Sequence, residues 1–321
     1  MNPLRRAVHT VMEKTGMDVR INEEAINRCC EIRRARRFPI LSPVDGNRWL
    51  HDLVQAARPA AVGKVGSSEC WALAWHLGLK RFYKYTWSAP SFGELDLYEQ
   101  SGVFPKTSGC FRRFAEIYLE RLKELDGCAV WYNPGESEIL ARFAPDVRRF
   151  EITALEPYFF KEPWTASLAG KRVLVVHPFE SSIRTQFPRR AELWPDLPEM
   201  LPAFDLEVIR APYGFSATSF LDWCAMIRWI EERIESLHHR WPIDVALIGC
   251  GAAGLPLASF VKRLGGIGIH TGGATQIFFG IRGGRWDRMQ EFQGFFTPTW
   301  VRPKLEETPP ESCKVDNGGY W

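Results

Sequence analysis

Three glycines, at positions 249, 251 and 254, stand between an apolar run, Val245–Ile248, and an apolar helix-forming segment that starts at Leu255. A strand, a glycine turn and a helix in that order bring backbone N–H groups and the positive end of a helix to one point. Such a point suits a phosphate or pyrophosphate. The same glycines would also serve simply to let a strand and a helix pack closely. A second apolar run, Ile267–His270, ends in another glycine-bearing turn, Thr271 to Gly273, with Gln276 just beyond. A dinucleotide site would place a carboxylate near the end of that second run to hold ribose hydroxyls. The residue there is His270, which weakens the NAD reading.

Other polar residues gather where apolar runs stop. Lys64 and Gly66 end the run that begins at Ala60, and Ser67, Ser68 and Glu69 open the helix that follows. In an open α/β sheet that junction is where ligands bind. A carboxylate there would equally complement the helix dipole. The strand-like Val173–His177 leads into Pro178, Phe179 and Glu180, so His177 is placed either to meet a substrate or to make a structural hydrogen bond. Arg282 and Arg285, separated by two glycines, suit an anionic group, or else form a basic surface loop.

These residues need a scaffold. Short β-branched runs alternate with helical stretches, which predicts an α/β protein with a Rossmann-like, mostly parallel sheet flanked by helices. Helices are expected from Asn47 as cap through Ala57, from Cys70 to Leu77, along the face Phe111, Phe114, Tyr118, Leu122 and Leu125, over 136–143, and after Ser219. In the last, Phe220, Trp223, Ile227, Ile230, Ile234 and Leu237 share one side. Three parts follow: a basic, mainly helical extension over 1–44, with a weak apolar stripe of Ile21, Ala25, Ile26 and Cys29; a main domain over 45–303; and a proline-rich tail over 304–321 wrapped on its surface.

The chain has 321 residues and a net charge of +3, too small for a general nucleic-acid binder. Residues 1–40 hold nine Lys/Arg against five acids, so the positive charge is concentrated there, as on a solvated helix or at an anionic membrane face. No apolar stretch follows Arg5 and Arg6, and none reaches the ~20 residues that span a bilayer, which suggests a cytoplasmic protein. The eight cysteines form no CxxC pair and read as reduced. The histidines show no zinc spacing.

Taken in order, Gly66–Glu69, Ser101–Pro105, Leu155–Tyr158, Val175–Ile183, Gly249–Gly254, Gly272–Gln276, Arg285–Asp287 and Tyr320–Trp321 resemble a family found in bacterial polysaccharide loci, described as glycosyltransferases of the GT-D fold. The resemblance covers roughly residues 45–321. It implies a nucleotide-sugar donor, a glycan or lipid-linked acceptor, and an Asp-x-Glu motif that holds Mn²⁺ or Mg²⁺ and the donor diphosphate. The matching positions here are Ser67, Ser68 and Glu69, so Glu69 alone remains as a metal ligand, and one carboxylate is a thin site for either ion. On this reading Arg285 stabilises the leaving diphosphate, with Arg282 as a further cation. Glu69 holds a metal or a donor hydroxyl, and Glu180 or Asp287 is the base. Lys64, Gly66, Ser67, His177, Gly249, Gly251, Gly254, His270, Gly272, Gly273 and Gln276 line the donor. The alternatives are another Rossmann-like enzyme, an oxidoreductase or a methyltransferase, and a non-catalytic scaffold for polysaccharide assembly.

Overall fold

The computed structural model describes residues 19–79, 97–214 and 219–321, with side chains from residue 26 onward. Among these, eight strands form one sheet in the order β1-β4-β3-β2-β8-β7-β5-β6. They are β1 (Ile40–Leu41), β2 (Ala60–Lys64), β3 (Gly127–Val130), β4 (Arg148–Glu151), β5 (Arg172–His177), β6 (Asp205–Arg210), β7 (Val245–Ile248) and β8 (Ile267–His270). Every neighbouring pair is parallel. The fold is therefore α/β and Rossmann-like, with the sheet wholly parallel.

The helices are α1 (Val19–Ala35), α2 (Pro43–Ala56), α3 (Ser67–His76), α4 (Ser108–Leu122), α5 (Glu136–Phe143), α6 (Glu180–Gln186), α7 (Arg190–Leu193), α8 (Trp223–Arg240), α9 (Gly254–Arg263), α10 (Ala274–Phe278) and α11 (Gly284–Asp287). Strand residues alternate between two cores, as the two-residue period of a strand requires. Leu174, Val176, Ala246 and Ile248 join one core with side chains of α3, α4, α5, α8 and α9. Val173, Val175, Val245 and Leu247 join the other with α2, α6 and α10. Buried on both faces, the central strands read as near-continuous apolar runs.

The two layers open a crevice. After β2 the chain passes to α3 on the first face, and after the adjacent β8 it passes to α10 on the second. Segments that diverge from neighbouring parallel strands leave a gap at the strands' C-terminal ends.

Several elements differ from expectation. Helix α2 is capped by Ser42, whose side chain accepts from Asp45 N–H, and Pro43 occupies its first turn. Asn47 is instead buried inside that helix, donating to Glu162 O at 2.8 Å and accepting from Trp164 N–H at 2.9 Å. Asp222, not Ser219, caps α8 through Ala225 N–H. Among the described side chains of α1, those buried are Asn27, Glu31 and Ala35, while Cys29 is exposed; the side chains of Ile21 and Ala25 lie outside the described ones. Glu31 accepts from Gly135 N–H at 3.0 Å and Ser137 N–H at 2.8 Å, and so caps α5. The sheet also begins before residue 45, since β1 pairs with β4. Arg5, Arg6 and Lys14 lie outside the described residues. No helix among the described residues is long and apolar enough to cross a membrane.

Candidate functional site

A cavity of about 420 Å³ sits over the C-terminal edge of the sheet. Residues at or just past the ends of β2 to β8 all contribute to it: Lys64 and Gly66–Glu69, Trp131, Ile152 with Glu156, His177, Pro212–Gly214, Gly249–Gly251, and His270–Gly273. Arg285, Trp286, Phe292 and the tail residues Val315, Asp316, Tyr320 and Trp321 close the outer wall. The volume is that of a small-molecule site.

Six charged side chains line the cavity, Lys64, Glu69, Glu99, Glu156, Arg285 and Asp316, and four of them are shifted or placed so as to bear on its chemistry: Lys64, Glu69, Glu156 and Arg285. Glu69 is 7% exposed, in the first turn of α3. Burial pushes its carboxyl above the usual range, opposed by its own backbone N–H, by Ser101 and by Lys64. Its carboxylate folds back over Gly66, where any Cβ would strike it. Glycine at the cap thus gives Glu69 its room. Glu156 is also raised by burial, although the Tyr158 hydroxyl donates to it at 3.1 Å. Burial lowers Lys64, which Glu156 opposes and Arg285 reinforces. Its Nζ stands 4.4 Å from the centre of the Trp131 ring.

Two histidines line the cavity as neutral rings of opposite tautomer. His177 Nδ1 accepts from Phe179 N–H at 3.0 Å, so the ring's proton is on Nε2. His270 Nδ1 lies 3.1 Å from Ile248 O, an acceptor only, so Nδ1 carries the proton and Nε2 keeps a lone pair. Burial pushes each down to about 3, aided at His270 by Lys64. One ring can donate to a ligand and the other can accept.

The glycine turn is largely engaged by the protein itself. Gly249 N–H donates to Val176 O, Ala252 N–H to Ser101 O, and both Thr271 and Gly272 N–H to Ile248 O. A Cβ on Gly251, whose φ is +59°, would come 2.7 Å from Ser101 O. A Cβ on Gly254 would run into the His270 ring. Gly249, Gly251, Gly272 and Gly273 still border the cavity, whereas Gly254 does not. Gln276 also borders it. Its amide donates to Ile281 O and Tyr320 O, both at 3.1 Å, which ties the tail to α10.

Two expected bases fall elsewhere. Glu180 lies off the cavity on α6, ion-paired with Arg184 at 3.1 Å. Asp287 also lies off it, held by Arg282 at 2.9 Å and by Arg302. Burial raises the Asp287 carboxyl, but hydrogen bonds from the two arginines outweigh this and hold it below its ordinary value. Neither carboxylate is placed to take a proton in the cavity, and Arg282 is spent on Asp287. Glu156, Trp131 and Asp316 join the cavity without an expected role, although Glu156 falls within the segment Leu155–Tyr158. Glu156 lies one residue past the stretch 152–155, which folds as a 3₁₀ turn just beyond the end of β4 and carries the side chain over the sheet edge. The tail was expected to wrap the surface, and it supplies a wall of the cavity.

The residues do not suit a resident divalent metal. The Ser67 hydroxyl donates to Asn133 Oδ1 at 3.0 Å, Glu69 is turned onto its own helix end, and an ammonium group is their neighbour. Among the described residues no group of three His, Cys, Asp or Glu side chains could hold a metal ion. Comparison with known proteins finds no matching family model, no matching curated protein and no matching solved structure.

Proposed function

We propose that this protein is a glycosyltransferase that moves a sugar from a nucleotide-diphosphate donor to a hydroxyl of a glycan or glycolipid. The observation that carries the reading is the meeting of four carboxylates (Glu69, Glu99, Glu156 and Asp316), two cations (Lys64 and Arg285) and several aromatic faces in one cavity at the diverging ends of β2 and β8. Cations answer the diphosphate. The flat rings of Trp131, Tyr320 and Trp321 offer stacking faces for a base or a sugar. Neutral His177 and His270 supply a donor and an acceptor for hydroxyls without adding charge.

In the proposed step the acceptor oxygen attacks the anomeric carbon as the bond to the diphosphate breaks. Glu156 takes the acceptor's proton, and Arg285 meets the charge growing on the departing diphosphate. Glu69 holds a donor hydroxyl. The polysaccharide-locus resemblance fits a cytoplasmic enzyme whose basic N-terminal segment rests on the inner face of a membrane. Deleting residues 1–40, which hold nine Lys/Arg against five acids, would then release the protein from anionic vesicles.

The test of the donor is a thermal-shift series with UDP, GDP, CMP and dTDP sugars, set against NAD and S-adenosylmethionine. A ligand that prefers the native state raises the melting temperature. One nucleotide sugar is expected to do so. A shift with NAD or S-adenosylmethionine alone would replace this reading with an oxidoreductase or a methyltransferase.

A further inference from the structure

The charged groups of the cavity are unequally satisfied. Glu69 accepts from its own backbone N–H and from Ser101, and Glu156 accepts from Tyr158. The cations are less well met. No ion pair forms on Lys64 among the described residues, and its ammonium has the Trp131 ring as its near neighbour. Arg285 has a hydrogen bond with the neutral Tyr320 side chain, and its Nη1 reaches the carboxylate of Asp316 only at 3.7 Å, beyond hydrogen-bond range, with that Oδ2 left without a hydrogen-bond partner. Gly272, at φ +63°, leaves the space through which the Lys64 stem passes; a Cβ there would press on Lys64 Cε at 3.0 Å and Nζ at 3.2 Å. The turn is thus shaped to let an ammonium group through to the cavity.

The geometry points to Lys64 and Arg285 as a paired anion site that takes a diphosphate group without a metal ion. An ammonium point charge and a planar guanidinium fork on two walls of one cavity complement the several oxygens of a diphosphate. Lys64 supplies the local positive charge that a divalent ion would otherwise bring. The neighbouring groups fit this role: Ser67 is committed to Asn133, and Glu69 faces its own helix end. The pair is Lys64 with Arg285, since Arg282 is held by Asp287. The inference rests on the glycosyltransferase reading only for what the diphosphate is attached to.

The experiment is calorimetric titration of the full chain with inorganic pyrophosphate in EDTA, then with Mn²⁺, then with UDP in EDTA. Pyrophosphate is expected to bind in EDTA with no more than a twofold change on adding Mn²⁺. Lys64→Met and Arg285→Met should each weaken it tenfold or more, with Lys64→Arg and Arg285→Lys recovering part of the loss. Should a methionine variant fail to fold, the charge-keeping variant and Lys64→Gln carry the comparison. Binding that needs Mn²⁺ and vanishes in Glu69→Gln would overturn the proposal, as would pyrophosphate binding indifferent to both cations or no binding in either buffer. If pyrophosphate binds as expected while UDP binds no more tightly, the anion site stands and the nucleotide-sugar reading falls.

Discussion

The imidazole of His270 fills the space that a side chain at residue 254 would need. The ring is fixed there by its Nδ1 contact with Ile248 O, on the strand beside its own. Gly254, the last glycine of the turn, therefore serves the packing of α9 on β8. Gly268 has the same use from the strand side, where a Cβ would meet the backbone of Ala258. Gly254→Ala is expected to destabilise the fold by about 1–3 kcal/mol, the usual cost of overpacking a filled core. His270→Ala in the same chain should return part of that loss. Urea unfolding of the two single variants and the double variant gives the coupling. Strictly additive effects would mean that the ring and the glycine do not compete for this space.

Glu307 holds the tail to the sheet. It is 1% exposed, and its carboxylate accepts from Ser181 N–H at 2.6 Å, from Ser182 N–H at 3.2 Å and from the Ser182 hydroxyl. It thereby satisfies the open N–H groups of α6 from 125 residues away. The Glu307 carbonyl in turn accepts from Tyr213 and Trp321, both near the cavity. Glu307→Ala would leave several buried donors without an acceptor, at a cost of about 1–3 kcal/mol each before relaxation. A loss of at least about 2 kcal/mol is expected in urea unfolding, with faster hydrogen exchange over 304–321. Unchanged exchange in the tail would show that the rest of its contacts hold it.

Local pattern revealed much of the scaffold and less of the site. Val245–Ile248, Ile267–His270 and the helix over 136–143 were legible because their periodicity is uninterrupted and glycines bound them. β4 was not, because Arg148, Arg149 and Glu151 hide its one large apolar residue, Phe150. The Arg149 guanidinium stacks 3.7 Å from the centre of the Phe38 ring, a long-range contact that lets an arginine enter a strand. In the site, Lys64, Glu69, His177 and His270 stood out as polar residues at the ends of apolar runs. Arg302 comes to Asp287 from 15 positions on, and no spacing rule announces that pairing. The wall formed by Tyr320 and Trp321 was illegible for the same reason, since the tail's ties run to Gln276 and Glu307.

Glu136 makes stability depend on pH. Burial pushes its carboxyl up to about 8, reinforced by Glu31 and opposed by the N–H groups of Trp131 and Asn133, at 3.0 and 3.2 Å. Between its ordinary value of 4.5 and about 8, the folded chain keeps a proton that the unfolded chain has released. This group's contribution is therefore fully present below the lower value and is lost as pH rises through the window. One proton corresponds to a slope of up to about 1.4 kcal/mol per pH unit. Glu69 and Glu156 are shifted the same way, so the test is a difference. Glu136→Gln should flatten the fall of stability between pH 5 and 8 relative to the unaltered chain. Parallel curves would mean that Glu136 is ionised in the folded protein.

Glu156 is the carboxylate on which the proposed transfer depends. It reaches the cavity, while Glu180 and Asp287 are bound to arginines outside it. Burial raises its carboxyl, the Tyr158 hydroxyl steadies the ionised form, and Lys64 and Arg285 attract it. A base with a raised proton affinity takes a hydroxyl proton more readily, but it must first be ionised. The rate should therefore rise with pH through a value above the ordinary glutamate range, then level off. Glu156→Gln keeps the shape and the contact to Tyr158 but cannot accept the proton, and should lower kcat by about 10²–10⁴-fold. Donor binding should hold or tighten, because the substitution removes a negative charge that faces Lys64 and Arg285. Measuring kcat against pH for both proteins, with donor binding by calorimetry, separates the outcomes. Lost donor binding in Glu156→Gln would make the residue a donor contact, and an unchanged rate would leave Glu69 as the carboxylate to examine as base.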